Sequence, residues 1–224
     1  MMLEAENTIN QAIDIMTRAM GPEHNKTADA MLDLARLYDT QKKYTEAEEL
    51  VTRVISIKEK NLGANHPEIA AAYTCLGLVL SGQQKYDRAE QAMEKVISIY
   101  ESIWGSQSHS VATALLGLGI VYEAGEKKEK AENTYLKTLD MFKATVGETG
   151  GLTLGACLRL SHFYYRNNDL EQAAHYAILV FEGHREVYGI AHLSTVQAIN
   201  TLIKIYEKMG NTEMVEHYKS LGQS

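Results

Sequence analysis

A spacing of 42 residues runs through this chain without an insertion or a deletion. The motif Tyr86-Asp87-Arg88-Ala89-Glu90 has an upstream copy that begins at Tyr44 and a downstream copy that begins at Lys128. Glycine keeps the same spacing, at Gly21, Gly63, Gly105, Gly147 and Gly189. A fixed period of this size is typical of repeat proteins, in which each unit buries its apolar face against its neighbours. The sequence therefore predicts a stacked repeat fold.

Composition narrows the class of protein. Hydrophobic residues make up 45% of the 224 positions, which is enough to bury a core. The net charge of -7 argues against nucleic-acid binding, because such binding depends on cations that neutralise phosphates. No apolar run of about 18 residues predicts a membrane span, and two cysteines predict no disulfide framework. We expect a soluble protein of the cytoplasm.

Each repeat is predicted to hold two α-helices. In one copy, Tyr73, Leu76 and Leu80 recur at helical spacing, and a polar turn then separates them from a second helix that starts at Tyr86 and ends before Gly105. First helices are expected at about 24–40, 66–82, 108–124, 150–166 and 192–208. Second helices are expected at about 44–61, 86–103, 128–145, 170–187 and 212–221, and residues 3–20 match a second helix that has no partner.

These eleven helices predict an all-α fold. We expect one array over residues 1–224, with a lone helix at 1–20 and helix pairs at 23–62, 65–104, 107–146, 149–188 and 191–224. The short turn inside each pair makes its helices antiparallel neighbours. The lone first helix is either a cap or the end of a longer array, and the polar last helix is interpreted as a cap. Trp104 is expected to fill the space between two repeats.

The residues of each pair resemble the tetratricopeptide repeat. The motifs that carry the resemblance are Tyr73-x2-Leu76-Gly77-x2-Leu80 with Ala89-x3-Met93, and Leu115-x2-Leu118-Gly119-x2-Tyr122 with Ala131-x3-Tyr135. The segment Gly63 to Ala70 is similar to the long variant of kinesin light chains and nephrocystin-like proteins. The resemblance implies a right-handed α-solenoid of stacked helix pairs, a superhelix. In this register Ala35, Gly77, Gly119 and Ser161 lie where paired helices cross, opposite Ala47, Ala89, Ala131 and Ala173.

The resemblance also implies a concave groove, lined by the first helices, that binds segments of other proteins. One predicted row of groove residues is Leu32, Thr74, Leu116, Leu158 and Asn200, and the next is Arg36, Leu78, Ile120, His162 and Lys204, with Tyr165 beside it. The middle of these rows is apolar and the ends are charged, which favours a partner segment with an apolar centre. The alternative is that the leucines pack between neighbouring repeats or against a terminal helix.

The function predicted from the sequence is a non-catalytic protein-interaction scaffold. The alternatives are a peptide-sensing regulatory domain of a larger protein and an array that associates with itself. His162, Tyr165 and Arg166, with Arg159 nearby, either contact an acidic or aromatic group of a partner or form a solvated face. No nucleophile with an orienting acid and no metal-ligand spacing is evident, so we expect no enzyme activity, no metal and no cofactor. The expected partner is a protein or peptide, without nucleic acid or membrane.

Overall fold

The computed structural model describes the backbone of residues 2–222 and the side chains of residues 4–222. Over that range the chain forms eleven α-helices and no β-strand. The helices are α1 (Met2–Met20), α2 (Asn25–Thr40), α3 (Tyr44–Leu62), α4 (Pro67–Gly82), α5 (Tyr86–Trp104), α6 (His109–Ala124), α7 (Lys128–Val146), α8 (Gly151–Arg166), α9 (Leu170–Tyr188), α10 (Leu193–Met209) and α11 (Thr212–Leu221). Each end lies within about one residue of the predicted end, so the all-α prediction is confirmed.

The chain divides into two compact units, residues 1–131 (unit 1) and residues 132–224 (unit 2). In unit 1, the first helices α2 and α4 pack against the second helices α3 and α5. In unit 2, α8 packs against α9, and α10 packs against both α9 and α11. Both units are therefore built from the same antiparallel helix pair. No helix in the described part of the chain is long and apolar enough to cross a membrane.

The turn between one helix pair and the next depends on glycine. Gly63, Gly105 and Gly189 have φ of 79°, 80° and 84° with ψ of 156°, 160° and 171°. This backbone region is essentially confined to glycine, because a Cβ atom would clash there. The regular spacing of glycine in the sequence therefore corresponds to a backbone conformation that recurs at the turns between pairs.

The turn inside each pair also has one residue in the left-handed region. These residues are Lys42, Gln84, Glu126, Asn168 and Gly210, with φ of 60°, 61°, 58°, 63° and 72°. They are again 42 residues apart. Three of them are residues that seldom adopt this conformation, and backbone hydrogen bonds across the turn hold it in place. At Gln84, for example, the amides of Gln84 and Lys85 donate to the carbonyl oxygens of Ser81 and Leu80, each at 2.9 Å.

Small residues lie where the paired helices cross, as predicted. Ala89 is fully buried on α5, and Gly77 of α4 approaches the same helix so closely that an added Cβ would lie 2.9 Å from the sulfur of Met93. In unit 2, the Ser161 hydroxyl donates a hydrogen bond to the carbonyl oxygen of Ala173 at 2.8 Å. In these two pairs, the small residues therefore lie at the helix crossings that the sequence predicted.

A glutamate follows the crossing alanine on four second helices, and it bonds to the next repeat. We call Glu6, Glu48, Glu90 and Glu132 the inter-repeat glutamates. The Glu90 carboxylate accepts hydrogen bonds from the Tyr122 hydroxyl at 2.8 Å and from the Lys127 ammonium at 2.8 Å. The Tyr38 hydroxyl donates to Glu6 at 3.1 Å, and the Tyr164 hydroxyl donates to Glu132 at 2.6 Å. Glu48 pairs with Lys85 and Arg88, each at 2.9 Å.

The last junction lacks this arrangement. The position after Ala173 holds Ala174, so no carboxylate faces Tyr206 from that position. Tyr206 is only 7% exposed and stacks on Tyr218 of α11, with ring centroids 5.7 Å apart. The same stack is present in the preceding pair, where Tyr164 stacks on Tyr176 with centroids 5.7 Å apart and also bonds to Glu132, so the last junction lacks only the carboxylate contact.

The contacts of Glu90 change its acidity. Partial burial raises the pKa of this carboxyl group, but hydrogen bonds from Lys127, Tyr122 and Lys130 outweigh burial and lower the pKa to about 2. Burial and the bond to Glu90 together raise the pKa of Tyr122 to about 12. The charged carboxylate is therefore the form that the folded chain stabilises.

A buried lysine joins three helices of unit 1. Lys58 of α3 is 1% exposed, and its ammonium group donates to Asp29 of α2 and Glu68 of α4, each at 2.5 Å. Burial alone would lower the pKa of Lys58, but the two carboxylates reverse this and raise it. Because the ammonium has two acidic partners, its charge is compensated inside the core.

Trp104 corrects one prediction. Its side chain is 48% exposed rather than packed between repeats, and its ring contacts Tyr100 with centroids 5.1 Å apart. Trp104 is the last residue of α5, where the chain turns outward at Gly105. The equivalent residues Val146 and Tyr188 are also exposed, at 41% and 52%. The last position of a second helix therefore faces solvent in this repeat.

We expect Gly147→Ala to destabilise the fold by about 1–3 kcal/mol, because Gly147 has φ of 84° and an alanine there is strained. The matched control is Gly155→Ala, in the middle of α8, where an added Cβ meets nothing within 4 Å. That change is expected to stabilise the fold by about 0.5–1 kcal/mol. Urea unfolding of both variants measures the difference, and equal stabilities would contradict the role assigned to the turn.

We expect Glu90→Gln to cost about 1–3 kcal/mol near pH 7, because it removes charge-assisted hydrogen bonds from Tyr122 and Lys127. A carboxyl group with a lowered folded-state pKa stabilises the fold above its unfolded pKa of about 4.3 and loses that effect as pH falls. The stability difference between parent and variant should therefore shrink between about pH 5 and pH 2. Thermal unfolding across that range measures it, with the exposed Glu94→Gln on the same helix as control. A difference that does not vary with pH would refute the assignment.

Candidate functional site

The predicted groove residues of unit 1 lie on α2, α4 and α6, and the structure separates them by exposure. Leu32 is only 5% exposed and packs in a core cluster with Ala72 and Cys75 of α4. It therefore adds no surface to the site. Leu32 therefore fits the alternative stated from the sequence, in which the leucines pack between neighbouring repeats.

The other apolar residues of these rows reach the surface of unit 1. Leu78 of α4 is 42% exposed, whereas Leu116 and Ile120 of α6 are partly exposed. Because α4 and α6 pack together and residues 78 and 120 are one repeat apart, these side chains occupy matching places on adjacent first helices. Thr74 is partly exposed one turn before Leu78, with its hydroxyl bonded to the carbonyl of Ala70 at 2.9 Å. We call Thr74, Leu78, Leu116 and Ile120 the unit 1 face.

Charged groups lie beside this face on α2. Arg36 is exposed and pairs with Asp33 of the same helix at 3.2 Å. Burial raises the pKa of the nearby Asp39 carboxyl group. Arg36 therefore occupies its predicted place on α2, with an exposed charge that a partner could approach.

In unit 2, the predicted residues form a small cleft between α8 and α10. Three of them, His162, Tyr165 and Lys204, line a cavity of about 170 Å³. Ser161, Thr201 and Ile205 complete its lining. Ile205 is 1% exposed and gives the cleft an apolar floor, while His162 and Lys204 are exposed at its edge. We call this the unit 2 cleft, and its volume suits one side chain of a partner.

Lys208 supports this cleft and was missed in the sequence. Its ammonium lies 4.3 Å from the centroid of the Tyr165 ring and donates a hydrogen bond to the Tyr165 carbonyl oxygen at 3.3 Å. This contact fixes the ring that forms one wall of the cleft. The available signal was the spacing of Lys204 and Lys208, four residues apart on one helix face.

Four residues of α8 and α10 that the sequence singled out do not line the cleft. They are Leu158 and Asn200 of the predicted rows and the basic residues Arg159 and Arg166. The Arg159 side chain turns to α7, where its Nε donates to the Tyr135 hydroxyl at 3.0 Å. Leu158 is partly exposed and Asn200 is exposed, but neither contributes to the cavity lining. Arg166 is exposed at the end of α8. The polar cluster expected around His162 is thus narrower than the sequence suggested.

The two cysteines lack the properties of a nucleophile. Cys75 and Cys157 are 5% and 2% exposed and form no disulfide. Burial raises the pKa of each thiol to about 11, which keeps it protonated near neutral pH. Among the described residues, no group of three His, Cys, Asp or Glu side chains is placed to hold a metal ion.

Models of the tetratricopeptide repeat match the sequence over residues 1–60, 41–102 and 68–144 with one model, and over residues 153–194 with another. The chain belongs to the tetratricopeptide repeat family. A search of curated protein sequences finds no match. The resemblance seen in the sequence is therefore confirmed by the family models.

Solved structures share the fold at low sequence identity. BtubC (BKLC) from P. vanneervenii has a TM-score of 0.74 and 18% identity, over 99% of this chain and 88% of that one. A Podosopora anserina protein with nearly identical, kinesin light chain TPR-like repeats has a TM-score of 0.72 and 20% identity, over 88% and 96% of the two chains. At these identities the likeness shows the fold alone.

One similar structure contains a bound factor. The Rap protein complexed with Competence and Sporulation Factor has a TM-score of 0.66 and 10% identity, over 99% of this chain and 69% of that one. The tetratricopeptide repeat fold is in general a scaffold for protein–protein interaction. The first helices of this chain, which carry the unit 1 face and the unit 2 cleft, are thus placed on a fold used for binding.

We expect neither Cys75 nor Cys157 to react with Ellman's reagent in native buffer, because both thiols are buried and held neutral. Both should react once guanidinium chloride unfolds the chain. The variant Ser106→Cys, at an exposed position, should add one fast-reacting thiol and serves as the control. A fast reaction of either native thiol in the folded parent would contradict the assigned burial.

Proposed function

We propose that this chain is a non-catalytic interaction scaffold whose first helices bind a peptide or helix of a partner protein. The observation that carries the proposal is the exposure of Leu78 in the middle of α4, on the same face as Leu116 and Ile120. Water around an apolar side chain is released when a partner covers it, which favours binding. The unit 1 face thus suits the apolar centre of a partner segment.

The unit 2 cleft adds polar recognition to this proposal. Lys204 offers a positive charge, His162 a ring nitrogen, and Tyr165 an aromatic face held by Lys208. These groups suit an acidic or aromatic side chain of the partner. Asn200 and Leu158 lie exposed or partly exposed on the same two helices and extend the proposed surface.

The sequence alternatives remain compatible with this binding mode. A peptide-sensing regulatory domain would use the same faces, and the bound factor of the Rap structure supports a peptide as one form of partner. The protein is proposed to act in the cytoplasm. Two buried free thiols support this, since reducing compartments keep thiols unpaired.

The decisive change is Leu78→Asp, which puts a charge on the unit 1 face. Its control is Leu152→Asp, because Leu152 is 43% exposed and Leu78 is 42% exposed, but Leu152 lies in the first turn of α8 outside the predicted rows. Peptides selected from a displayed random library against the parent chain supply the ligands. We expect Leu78→Asp to weaken their binding at least about tenfold, as measured by fluorescence anisotropy, and the control to leave it unchanged.

Two results would overturn the proposal. One is a selection that enriches no peptide with saturable binding to the parent chain. The other is an equal loss of affinity in both leucine variants, which would place the ligand away from the unit 1 face. Thermal unfolding of both variants confirms that each is folded, because exposed leucines contribute little to stability.

A further inference from the structure

One face of α1 is open, whereas its equivalents on the second helices α3, α5, α7 and α9 are buried. The residues of this open face are Ala5, Ile9, Ala12 and Ile15. Ile15 is 67% exposed, and the other three are partly exposed. The helix is held to α2 elsewhere, through Ile13 in the core cluster and through Glu6, which accepts a hydrogen bond from Tyr38.

The 42-residue register gives the equivalents of this face on α3, α5, α7 and α9, whereas α11 ends at Leu221, before the register is complete. All sixteen equivalent residues are buried: Ala47, Val51, Val54 and Ile57; Ala89, Met93, Val96 and Ile99; Ala131, Tyr135, Thr138 and Met141; Ala173, Ala177, Val180 and Gly183. On α3, α5 and α7 the equivalents of Ile15 are Ile57, Ile99 and Met141, which are 6%, 0% and 5% exposed. The face is therefore buried on all four of these helices.

The structure also shows what covers the face in the later repeats. Ile99 packs with Ile69 and Ala70 of α4, the first helix of the same pair, and with Ala114 of α6, the first helix of the next pair. At the position of Gly183, an added Cβ would lie 2.6 Å from Leu154 of α8, again the first helix of the same pair. The covering element is thus an antiparallel helix with small residues at the crossing, such as Gly77 opposite Met93.

We propose that the open face of α1 is a docking surface for an amphipathic helix of a partner polypeptide, and that this helix has the pattern of this chain's own first helices. The occupant would place a small residue against Ile9, as Gly77 does against the equivalent Met93, and an apolar residue against Ile15. The register specifies this chemistry, because positions of the same face meet that kind of helix in the α4–α5 and α8–α9 pairs. This surface is separate from the unit 1 face and the unit 2 cleft.

The test uses the full chain and a synthetic, fluorescently labelled peptide with the sequence of residues 24–42, which contains the first helix α2. We expect saturable binding to the parent, measured by anisotropy. Ile15→Asp should weaken it at least about tenfold. The matched control is Asn10→Asp, which adds the same charge at an exposed position of α1 outside the open face and should bind like the parent. Since Ile15 is 67% exposed, its replacement should leave the unfolding temperature almost unchanged.

Three results would overturn the inference. Absence of saturable peptide binding would show that the face does not accept such a helix. Equal binding by parent and Ile15→Asp would place the peptide elsewhere on the chain. Light scattering that shows a dimer of the parent, dissolved by Ile15→Asp, would assign the face to a second copy rather than to a partner helix. Peptide binding should persist in Leu78→Asp, which separates this surface from the proposed function.

Discussion

Two turns per repeat, each with one residue in the left-handed region, set the direction of the helices in this chain. Glycine provides one of them, as at Gly105, and hydrogen bonds across the turn hold the other, as at Gln84. Because each turn recurs every 42 residues, the helices of successive repeats begin at equivalent positions. The small residues at the crossings, such as Gly77, then allow the paired helices to approach. The placement of Leu78 and Tyr165 on first helices follows from this backbone constraint.

Charged hydrogen bonds connect one helix pair to the next, and most of them lie outside the buried core. Each inter-repeat glutamate lies on a second helix and bonds to a first helix or to the turn after it, as Glu90 does with Tyr122 and Lys127. Lys58 has a related role in unit 1, where its buried ammonium joins three helices. None of these contacts involves a residue of the unit 1 face, and Leu78 of that face is 42% exposed.

The sequence predicted most of the fold and less of the site. Helix ends and crossings followed from a strict period and from glycine and alanine, whose effects are local to the backbone. Exposure depends on the packing of neighbours, so the burial of Leu32 and the exposure of Trp104 could not be derived from their positions alone. Long side chains add a further difficulty, because Lys208 reaches back to Tyr165 through four flexible bonds whose direction no pattern specifies. The sequence could indicate Leu78 and the residues at the edge of the cleft because their positions in the repeat register were enough to place them on the first helices.

The alanine at position 174 has a consequence for how the molecule opens. Every earlier junction joins a carboxylate of a second helix to the following repeat, whereas Tyr206 faces no carboxylate from position 174. With this charged contact missing, the C-terminal hairpin should fray before the rest. Such fraying would transiently free the α10 wall of the cleft that contains Lys204, so that ligand capture and local melting become coupled at this end of the array.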